Sequence, residues 1–265
     1  MRRALWCVLA ATTLLAASCK TKQPETEPAE TIKVEKPAPT VSPAPAPAET
    51  KPAAGAPAAT APAAKAGNLL KPATLKEKAP EKYEVKFKTT RGDFTLLVKR
   101  AWSPLAAERF YNLVKAHFYD DAAFFRVVPG FVAQFGISAN PAVSSAWKHT
   151  EIADDPVTQT NKRGTLSFAT AGPNTRTTQI FINLKDNPRL DGMGFSPFAV
   201  VEGDGMNVVE MMYEGYGDTA GPEQDLIEKQ GTPYLKKGWP KLDYIVSASV
   251  VDSSTAPAAA PKKVQ

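Results

Sequence analysis

Apolar and polar residues alternate along several short stretches of this chain, which is the pattern of strands that bury one face. Tyr83, Val85 and Phe87 show the alternation most clearly, since a half-buried strand turns every second side chain toward the core. Residues 90–93 are turn-forming and lead into a second apolar stretch at 94–98. The two stretches therefore predict a β-hairpin.

Helical spacing of apolar residues occurs at two places. The first follows Ser103 and Pro104, which are typical of an N-cap and of a first helical position. Its buried face is expected to consist of Ala106, Phe110, Leu113 and Val114. The second is a short helix at 205–213. Its inward-facing residues are expected to be Met206, Val209 and Met212.

Residues 124–136 form a dense apolar run that nevertheless holds one arginine and one glutamine, Arg126 and Gln134. Pro129 and Gly130 divide the run with a turn signal, and each arm is rich in aromatic or β-branched residues, so each arm predicts a strand. A buried arginine is costly unless its donors find partners. Spacing alone leaves two interpretations open, a structural pair or a functional site.

The rest of this region has the pattern of further strands. We expect strands at 164–169, 179–183, 197–202 and 242–251. Residues 137–163 are expected to form a long polar loop, and residues 215–240 a Gly- and Pro-rich insertion. Many short strands with two helices predict a mainly β fold, a closed antiparallel barrel, because closure leaves no exposed edge strand.

Four short motifs occur in order within the same region. They are F-x-R-V-V-P-G-F-x-x-Q-x-G at 124–136, A-G-P-N-T at 171–175, Q-x-F-I at 179–182 and L-D-G at 190–192. Over about residues 81–252 the sequence thereby resembles the cyclophilin family of peptidyl-prolyl cis-trans isomerases. The resemblance implies a closed eight-stranded antiparallel β-barrel capped by two α-helices. It also implies an enzyme that acts on proline-containing unfolded or flexible polypeptides and uses no cofactor.

The chemistry of such an enzyme requires few groups. Amide resonance sets a rotation barrier of about 18–20 kcal/mol. A catalyst needs an apolar pocket for the proline ring and one well-aimed donor for the twisted amide, without a nucleophile or a metal. The two histidines, His117 and His149, have no second ligand at metal spacing, so no metal site is predicted.

The resemblance implies roles for individual residues. Arg126 matches the family's catalytic arginine, which donates toward the prolyl nitrogen, and Gln134 matches the glutamine that orients it. The residues that match the substrate-binding positions are Phe131, Val132, Ala169, Thr170, Ala171, Gln179, Phe181, Leu190 and Phe195. Taken alone, Phe131, Phe181 and Leu190 would be assigned to the core. Only their combination with Arg126 and Gln134 favours a pocket.

Four positions depart from the family pattern. Val132 stands where methionine is common, Thr170 replaces the commoner asparagine, and Phe195 lies near the place of a histidine. Arg189 stands where eukaryotic members have a tryptophan that binds cyclosporin at the pocket edge. We therefore expect weak cyclosporin binding with catalysis largely retained.

Residues 1–18 have the form of a secretory signal peptide. An Ala-Ala-Ser-Cys sequence ends at Cys19 and resembles a bacterial lipobox, although its first alanine replaces the usual leucine. We expect a lipid on Cys19, and the alternative is an ordinary secreted protein. Because Lys20 rather than aspartate follows, we expect an outer-membrane anchor that faces the periplasm of a Gram-negative bacterium.

Residues 19–80 are rich in proline and alanine and contain no aromatic residue, so they predict a disordered linker. Residues 81–252 are enough for one well-buried domain, and residues 253–265 are expected to form a disordered tail. The formal net charge is +5, but the positive excess lies in the two ends. The domain therefore has no basic face that would favour a nucleic-acid partner.

Three functions remain open. The first is a membrane-tethered, monomeric isomerase acting on cell-envelope proteins. The second is a non-catalytic chaperone that binds proline-containing peptides in the same groove. The third is a structural lipoprotein that links membrane and wall, for which the sequence offers no wall-binding motif. The presence of both Arg126 and Gln134 favours the first.

Overall fold

The computed structural model describes residues 66–251. The predicted signal peptide, the lipidation site Cys19 and the tail at 253–265 lie outside the described residues, as does most of the predicted linker. Within the described residues, no helix is both long enough and apolar enough to cross a membrane.

The described residues form an antiparallel sheet of eight strands. The strands are β1 (Lys82–Thr89), β2 (Gly92–Lys99), β3 (Arg126–Val128), β4 (Val132–Phe135), β5 (Thr165–Phe168), β6 (Ile180–Asn183), β7 (Pro197–Val201) and β8 (Ile245–Val251). Their order in the sheet is β3-β4-β6-β5-β7-β2-β1-β8. The predicted hairpin is confirmed, since β1 and β2 pair along their whole length from Lys82–Lys99 to Thr89–Gly92.

The two edge strands, β3 and β8, come close without forming a ladder in the described part of the chain. Three backbone hydrogen bonds join the segment before β3 to the start of β8 and the residues just before it. Asp121 N donates to Ile245 O at 2.8 Å, Ile245 N to Ala122 O at 2.9 Å, and Phe124 N to Asp243 O at 2.9 Å. The sheet is therefore strongly curled, and the fully closed barrel stays a prediction.

Aromatic residues fill the inner face of the curled sheet. The Phe87 ring stacks on Phe94 at a centroid distance of 5.1 Å and meets Phe135 edge-on at 5.8 Å. The ring of Phe110, from the first long helix, lies nearly parallel to that of Phe87 at a centroid distance of 6.3 Å. All four rings are buried, and aromatic contacts of this kind add to the stabilisation by area burial.

Six α-helices are described. They are α1 (Ala66–Leu69), α2 (Pro104–Lys115), α3 (Pro141–Trp147), α4 (Gly205–Val209), α5 (Gln224–Gln230) and α6 (Thr232–Gly238). Short 3-10 turns lie at Pro72–Thr74, Arg100–Trp102 and Pro188–Met193. The sequence predicted only α2 and a longer version of α4.

The cap of α2 comes from a distant residue. Ser103 stands at the N-cap position as predicted, but its side chain does not bond to the helix. Its hydroxyl donates instead to Asp155 Oδ2 at 2.6 Å. The Asp155 carboxylate accepts from the backbone N–H groups of Leu105 and Ala106, both at 3.0 Å. A buried carboxylate from the 137–163 segment thus satisfies the open donors of the helix.

Helix α4 is shorter than the predicted 205–213 helix. After Val209 the chain tightens into turns, in which Met211 N donates to Val208 O and Met212 N to Val209 O. Tyr213 N then donates to the side chain of Asp243 at 2.8 Å, which ends the helical path. The inward-facing residues are nevertheless buried as predicted: Met206, Val209 and Met212.

The prediction of a long polar loop at 137–163 was wrong in part, and the predicted Gly- and Pro-rich insertion at 215–240 contains helices that the sequence analysis did not predict. The first contains α3, capped by the Asn140 side chain, which accepts from Ala142 N at 2.9 Å. The second contains α5 and α6. These helices are short, so packing against the domain rather than propensity holds them.

The predicted linker boundary at residue 80 was also wrong, because several residues between Leu69 and Ala79 pack against the domain. Leu69 and Ala79 are buried, and the Trp147 indole N–H donates to Leu69 O at 2.9 Å. The Asn112 amide group, on α2, donates to Glu77 O at 2.8 Å and accepts from Glu77 N at 2.9 Å. Leucines are the apolar residues that the preceding Pro/Ala-rich stretch lacks, and they allow this segment to pack.

Candidate active site

The β3–β4 hairpin brings Arg126 and Gln134 together. The two residues are directly opposite in the strand register, so their side chains lie on the same face. The turn between the strands contains Gly130, whose φ of +59° suits a residue without a Cβ. Arg126 Nη1 donates to Gln134 Oε1 at 3.1 Å.

A third polar side chain fixes the amide of Gln134. Gln134 Nε2 donates to Gln179 Oε1 at 2.9 Å, which leaves the Gln134 oxygen directed at Arg126. Gln134 is buried, whereas the Arg126 side chain keeps 26% of its surface exposed. Arg126 therefore has polar partners and also lies at the edge of a cleft, as a functional site requires.

The last residue of the same motif, Gly136, permits a close approach of two chain segments. Its φ is +108°, and a Cβ placed there would lie 2.5 Å from Thr178 O. Thr178 Oγ1 donates to Gly136 O at 2.9 Å. The glycine thus lets the chain before β6 lie against the end of β4, which brings Gln179 beside Gln134.

An apolar pocket of about 270 Å³ opens beside Arg126. Buried Val132, Phe181 and Leu190 form its floor, and the Phe195 ring meets Phe181 edge-on at 5.4 Å. The volume is just below the range of about 300–1,000 Å³ that holds drug-sized molecules. The pocket is therefore large enough for a small apolar ring.

The structure brings the predicted site residues together. Nine of the eleven line this pocket, and the other two, Ala171 and Gln179, line a neighbouring cavity of about 590 Å³. Gln134, Ala169 and Thr170 line both cavities, so the two form one continuous groove. The roles of the individual residues in binding and catalysis stay predictions.

Two buried asparagines that the sequence analysis did not single out support the pocket. Asn161 Nδ2 donates to Asp191 Oδ1 at 2.7 Å and to Phe195 O at 2.8 Å, which fixes the turn that carries Leu190. Asn187 Nδ2 donates to Phe131 O at 3.1 Å. The aspartate of the L-D-G motif was the one available signal for this network.

Arg189 lies at the pocket edge, as predicted from the family position of a tryptophan. Its guanidinium carbon is 5.1 Å from the centre of the Phe131 ring, and that of Arg126 is 5.8 Å from the same ring. Both distances fall within the range of cation–π attraction. Although Arg189 is exposed, it covers part of the aromatic surface of the pocket.

Arg126 also has a charged partner that was not predicted from the sequence. Asp218 Oδ1 accepts from Arg126 Nε at 2.5 Å. The hydrogen bond from Arg126 and its positive charge lower the pKa of Asp218 below the ordinary value of 3.8, so Asp218 is ionised at neutral pH. Ninety-two positions separate the two residues in the chain, and no local pattern could have linked them.

No group of three or more potential metal ligands occurs among residues 66–251. The polar side chains that line the groove include two arginines, three glutamine amides and three threonine hydroxyls, together with several charged side chains of the larger cavity. This set can donate hydrogen bonds to a peptide and accept them, and it can bury a small ring. It fits an amide substrate whose bonds are rotated rather than broken.

Comparison with known proteins agrees with this chemistry. The sequence model of the family described as "Cyclophilin type peptidyl-prolyl cis-trans isomerase/CLD" matches residues 84–231. The chain is 36% identical over 135 residues to peptidyl-prolyl cis-trans isomerase-like 1 of Rhizopus delemar, covering 50% of this chain and 81% of that protein. It is 32% identical over 130 residues to a peptidyl-prolyl cis-trans isomerase of Helicobacter pylori, covering 48% and 78% respectively.

Among solved structures, a cyclophilin-type peptidyl-prolyl cis-trans isomerase of Cryptosporidium parvum superposes with a TM-score of 0.49 at 20% identity. That superposition covers 65% of this chain and 99% of the other. The family match rests on the sequence, since the matched residues make up more than half of the chain and include Arg126, Gln134 and the pocket. The chain belongs to the cyclophilin-type peptidyl-prolyl cis-trans isomerase family.

Proposed function

We propose that this protein accelerates cis–trans isomerisation of X–Pro bonds in unfolded or flexible segments of cell-envelope proteins. The observation that carries the proposal is the position of the Arg126 guanidinium, hydrogen-bonded to Gln134 at the mouth of an apolar pocket. A proline ring in this pocket places its nitrogen near a charged donor. That combination is what rotation about a prolyl amide requires.

Arg126 keeps donors for the substrate. A guanidinium has five N–H groups, and in the described part of the chain Gln134 and Asp218 each accept from one of them. Three N–H groups therefore remain. One of them donates to the prolyl nitrogen as the amide twists and its lone pair becomes available.

The donor gains strength from its surroundings. Losing resonance moves electron density onto the nitrogen only near the transition state, so a hydrogen bond made there lowers the barrier without strengthening ground-state binding. One well-placed donor of this kind accounts for about 10²- to 10³-fold in rate in other enzymes. The apolar floor formed by Val132, Phe181 and Leu190 excludes water and keeps that bond strong.

The chain after β5 serves as the binding strip for the substrate backbone. Thr170 Oγ1 lies 2.8 Å from Thr175 Oγ1 and also bonds to Gly172 within the same turn. The hydroxyl of Thr170 is thus occupied locally. Thr170 would contribute through its main-chain groups, so the substitution of the family's asparagine need not weaken binding.

The cellular part of the proposal rests on the sequence alone. A lipid on Cys19 would anchor the protein to the outer membrane, with the Pro/Ala-rich stretch as a spacer and the domain in the periplasm. The envelope substrates follow from that location. Mass spectrometry of the native N-terminus tests it, because cleavage elsewhere or an unmodified Cys19 would contradict the anchor. We propose separately that the protein is a monomer. We also propose that the curled sheet closes into a barrel between β3 and β8.

The activity is tested with the full mature chain and the peptide succinyl-Ala-Ala-Pro-Phe-p-nitroanilide in a protease-coupled assay. We expect Arg126→Ala to lose most of the rate while peptide binding, measured by calorimetry, is kept. An Arg126→Ala protein with the full rate would refute the donor role. A wild-type protein that binds the peptide but gives no acceleration would favour the non-catalytic chaperone.

A further inference from the structure

Asp218 and Gln134 hold the guanidinium of Arg126 at two different nitrogens. The Asp218 carboxylate accepts from Nε at 2.5 Å, and the Gln134 amide oxygen accepts from Nη1 at 3.1 Å. Gln134 belongs to the sheet, whereas Asp218 belongs to the 215–240 insertion. The insertion therefore reaches directly into the candidate active site.

The insertion is packed against the chain that leads into Arg126. Its helices α5 and α6 contribute Ile227 and Leu235 to a small second core, which also includes Phe125, the residue next to Arg126. The remaining buried members of this core are Ala123, Ile137 and Leu242. The same apolar contacts therefore position both Arg126 and the insertion.

The turn that carries Asp218 is fixed on both sides. Before it, the Tyr216 ring packs against the second core and meets the Tyr213 ring edge-on at 4.9 Å. After it, Ala220 O accepts from the Trp239 indole N–H at 2.8 Å. Gly217 takes a φ of +54°, which a tight turn at this place requires. Contacts on both sides thus hold the turn that presents Asp218 to Arg126.

The Asp218–Arg126 contact contributes little to the stability of the fold. The Asp218 side chain keeps 58% of its surface exposed and Arg126 keeps 26%, and exposed ion pairs are screened by water and salt. The effect of the contact is on orientation. An arginine side chain has many rotamers, and anchors at Nε and Nη1 remove most of them before substrate arrives.

We propose that Asp218 is a positioning residue that holds Arg126 in its donating orientation, so that the 215–240 insertion is part of the catalytic machinery. This inference rests on the catalytic role proposed for Arg126. Because Arg126 lowers the pKa of Asp218, the carboxylate is charged throughout the neutral range, and the anchor does not depend on pH there.

The test uses the full mature chain with succinyl-Ala-Ala-Pro-Phe-p-nitroanilide. We expect Asp218→Ala to lower kcat about 3- to 10-fold with KM nearly unchanged, since a partial loss of orientation costs less than the roughly 100-fold of a full misplacement. Asp218→Asn, which keeps an acceptor oxygen, should recover part of the loss. The matched control is Glu214→Ala, because Glu214 is an exposed carboxylate four positions before Asp218 and its side chain makes no hydrogen bond or ion pair within the described residues; it should behave as wild type.

A double-mutant cycle separates positioning from a structural role. In an Arg126→Ala background, measured at raised enzyme concentration, Asp218→Ala should cause no further loss, because its effect passes through the missing guanidinium. An equal loss in both backgrounds would overturn the inference, and so would an Asp218→Ala protein as fast as wild type or faster. If Arg126→Ala itself keeps the full rate, the proposed function fails first. If Arg126→Ala loses activity but Asp218→Ala keeps the wild-type rate, the inference about Asp218 fails and the proposed function stands.

Discussion

Gln134→Leu should damage catalysis far more than it damages the fold. The substitution keeps a side chain of similar size but removes the acceptor for Arg126 Nη1 and the donor for Gln179 Oε1. Gln134 is buried in the groove, so leucine replaces an amide in a partly apolar setting. Within the described residues, Arg126 then keeps Asp218 as its one remaining side-chain hydrogen-bond acceptor.

The magnitude follows from the kind of hydrogen bond that is lost. A hydrogen bond to a charged group contributes about 1.5–3 kcal/mol. If this loss appears wholly in the transition state, kcat/KM falls about 10- to 100-fold, since each 1.4 kcal/mol corresponds to a factor of ten. The free energy of unfolding should change by less than about 2 kcal/mol, because the new apolar side chain offsets part of the lost hydrogen bonding.

The protease-coupled assay measures the rate, and urea unfolding followed by circular dichroism measures the stability. Gln179→Leu is the matched control, because it removes the partner of Gln134 Nε2 but keeps both the donor and the acceptor of the bond between Arg126 and Gln134. We expect it to lose only a few-fold in rate. A Gln134→Leu protein within about threefold of wild type would refute the idea that Gln134 orients Arg126.

Three further predictions concern charged groups around the site and the fold. Arg189→Trp should tighten cyclosporin binding by roughly 30-fold in calorimetry, as expected for an aromatic hot spot of about 2 kcal/mol; equal affinities would show that position 189 is not the determinant. Asp155→Ala should lower the free energy of unfolding by about 3–5 kcal/mol, because it removes the α2 cap and a partner of buried Arg176; a loss below 1 kcal/mol in urea unfolding would contradict this account. Since Arg126 lowers the pKa of Asp218, their ion pair should persist as pH falls past 3.8 and be lost only at lower pH. Carbon NMR should show the Asp218 titration move to higher pH in Arg126→Ala, and an unchanged titration would contradict the contact.

The sequence predicted the structure correctly where residues close together in the chain form it, as in hairpins. Arg126 and Gln134 lie on the two strands of one short hairpin, so the turn between them almost determines their cross-strand register. The β1–β2 hairpin has the same property. Local pattern and final structure agree at these places because few distant contacts can override them.

The features that were missed depend on distant contacts. Helices α3, α5 and α6 have seven residues each, too few to be stable alone, and they form where the second core and the 66–80 segment cover them. The α2 cap comes from Asp155, 50 positions beyond Leu105. Asp218 is further still from Arg126. Local propensity carries no information about such pairs.

The packing of residues 66–80 has a mechanical consequence. Strand β1 lies between β2 and β8 and is the first strand of the sheet in chain order. A pulling force applied at the N-terminal side would reach β1 only after the contacts of Leu69 with Trp147 and of Glu77 with Asn112 had broken. Those contacts would open one at a time and release at most about 50 Å of chain. Under moderate tension the segment would therefore lengthen before the force reached the sheet. The sheet, and with it the active-site hairpin, would stay folded.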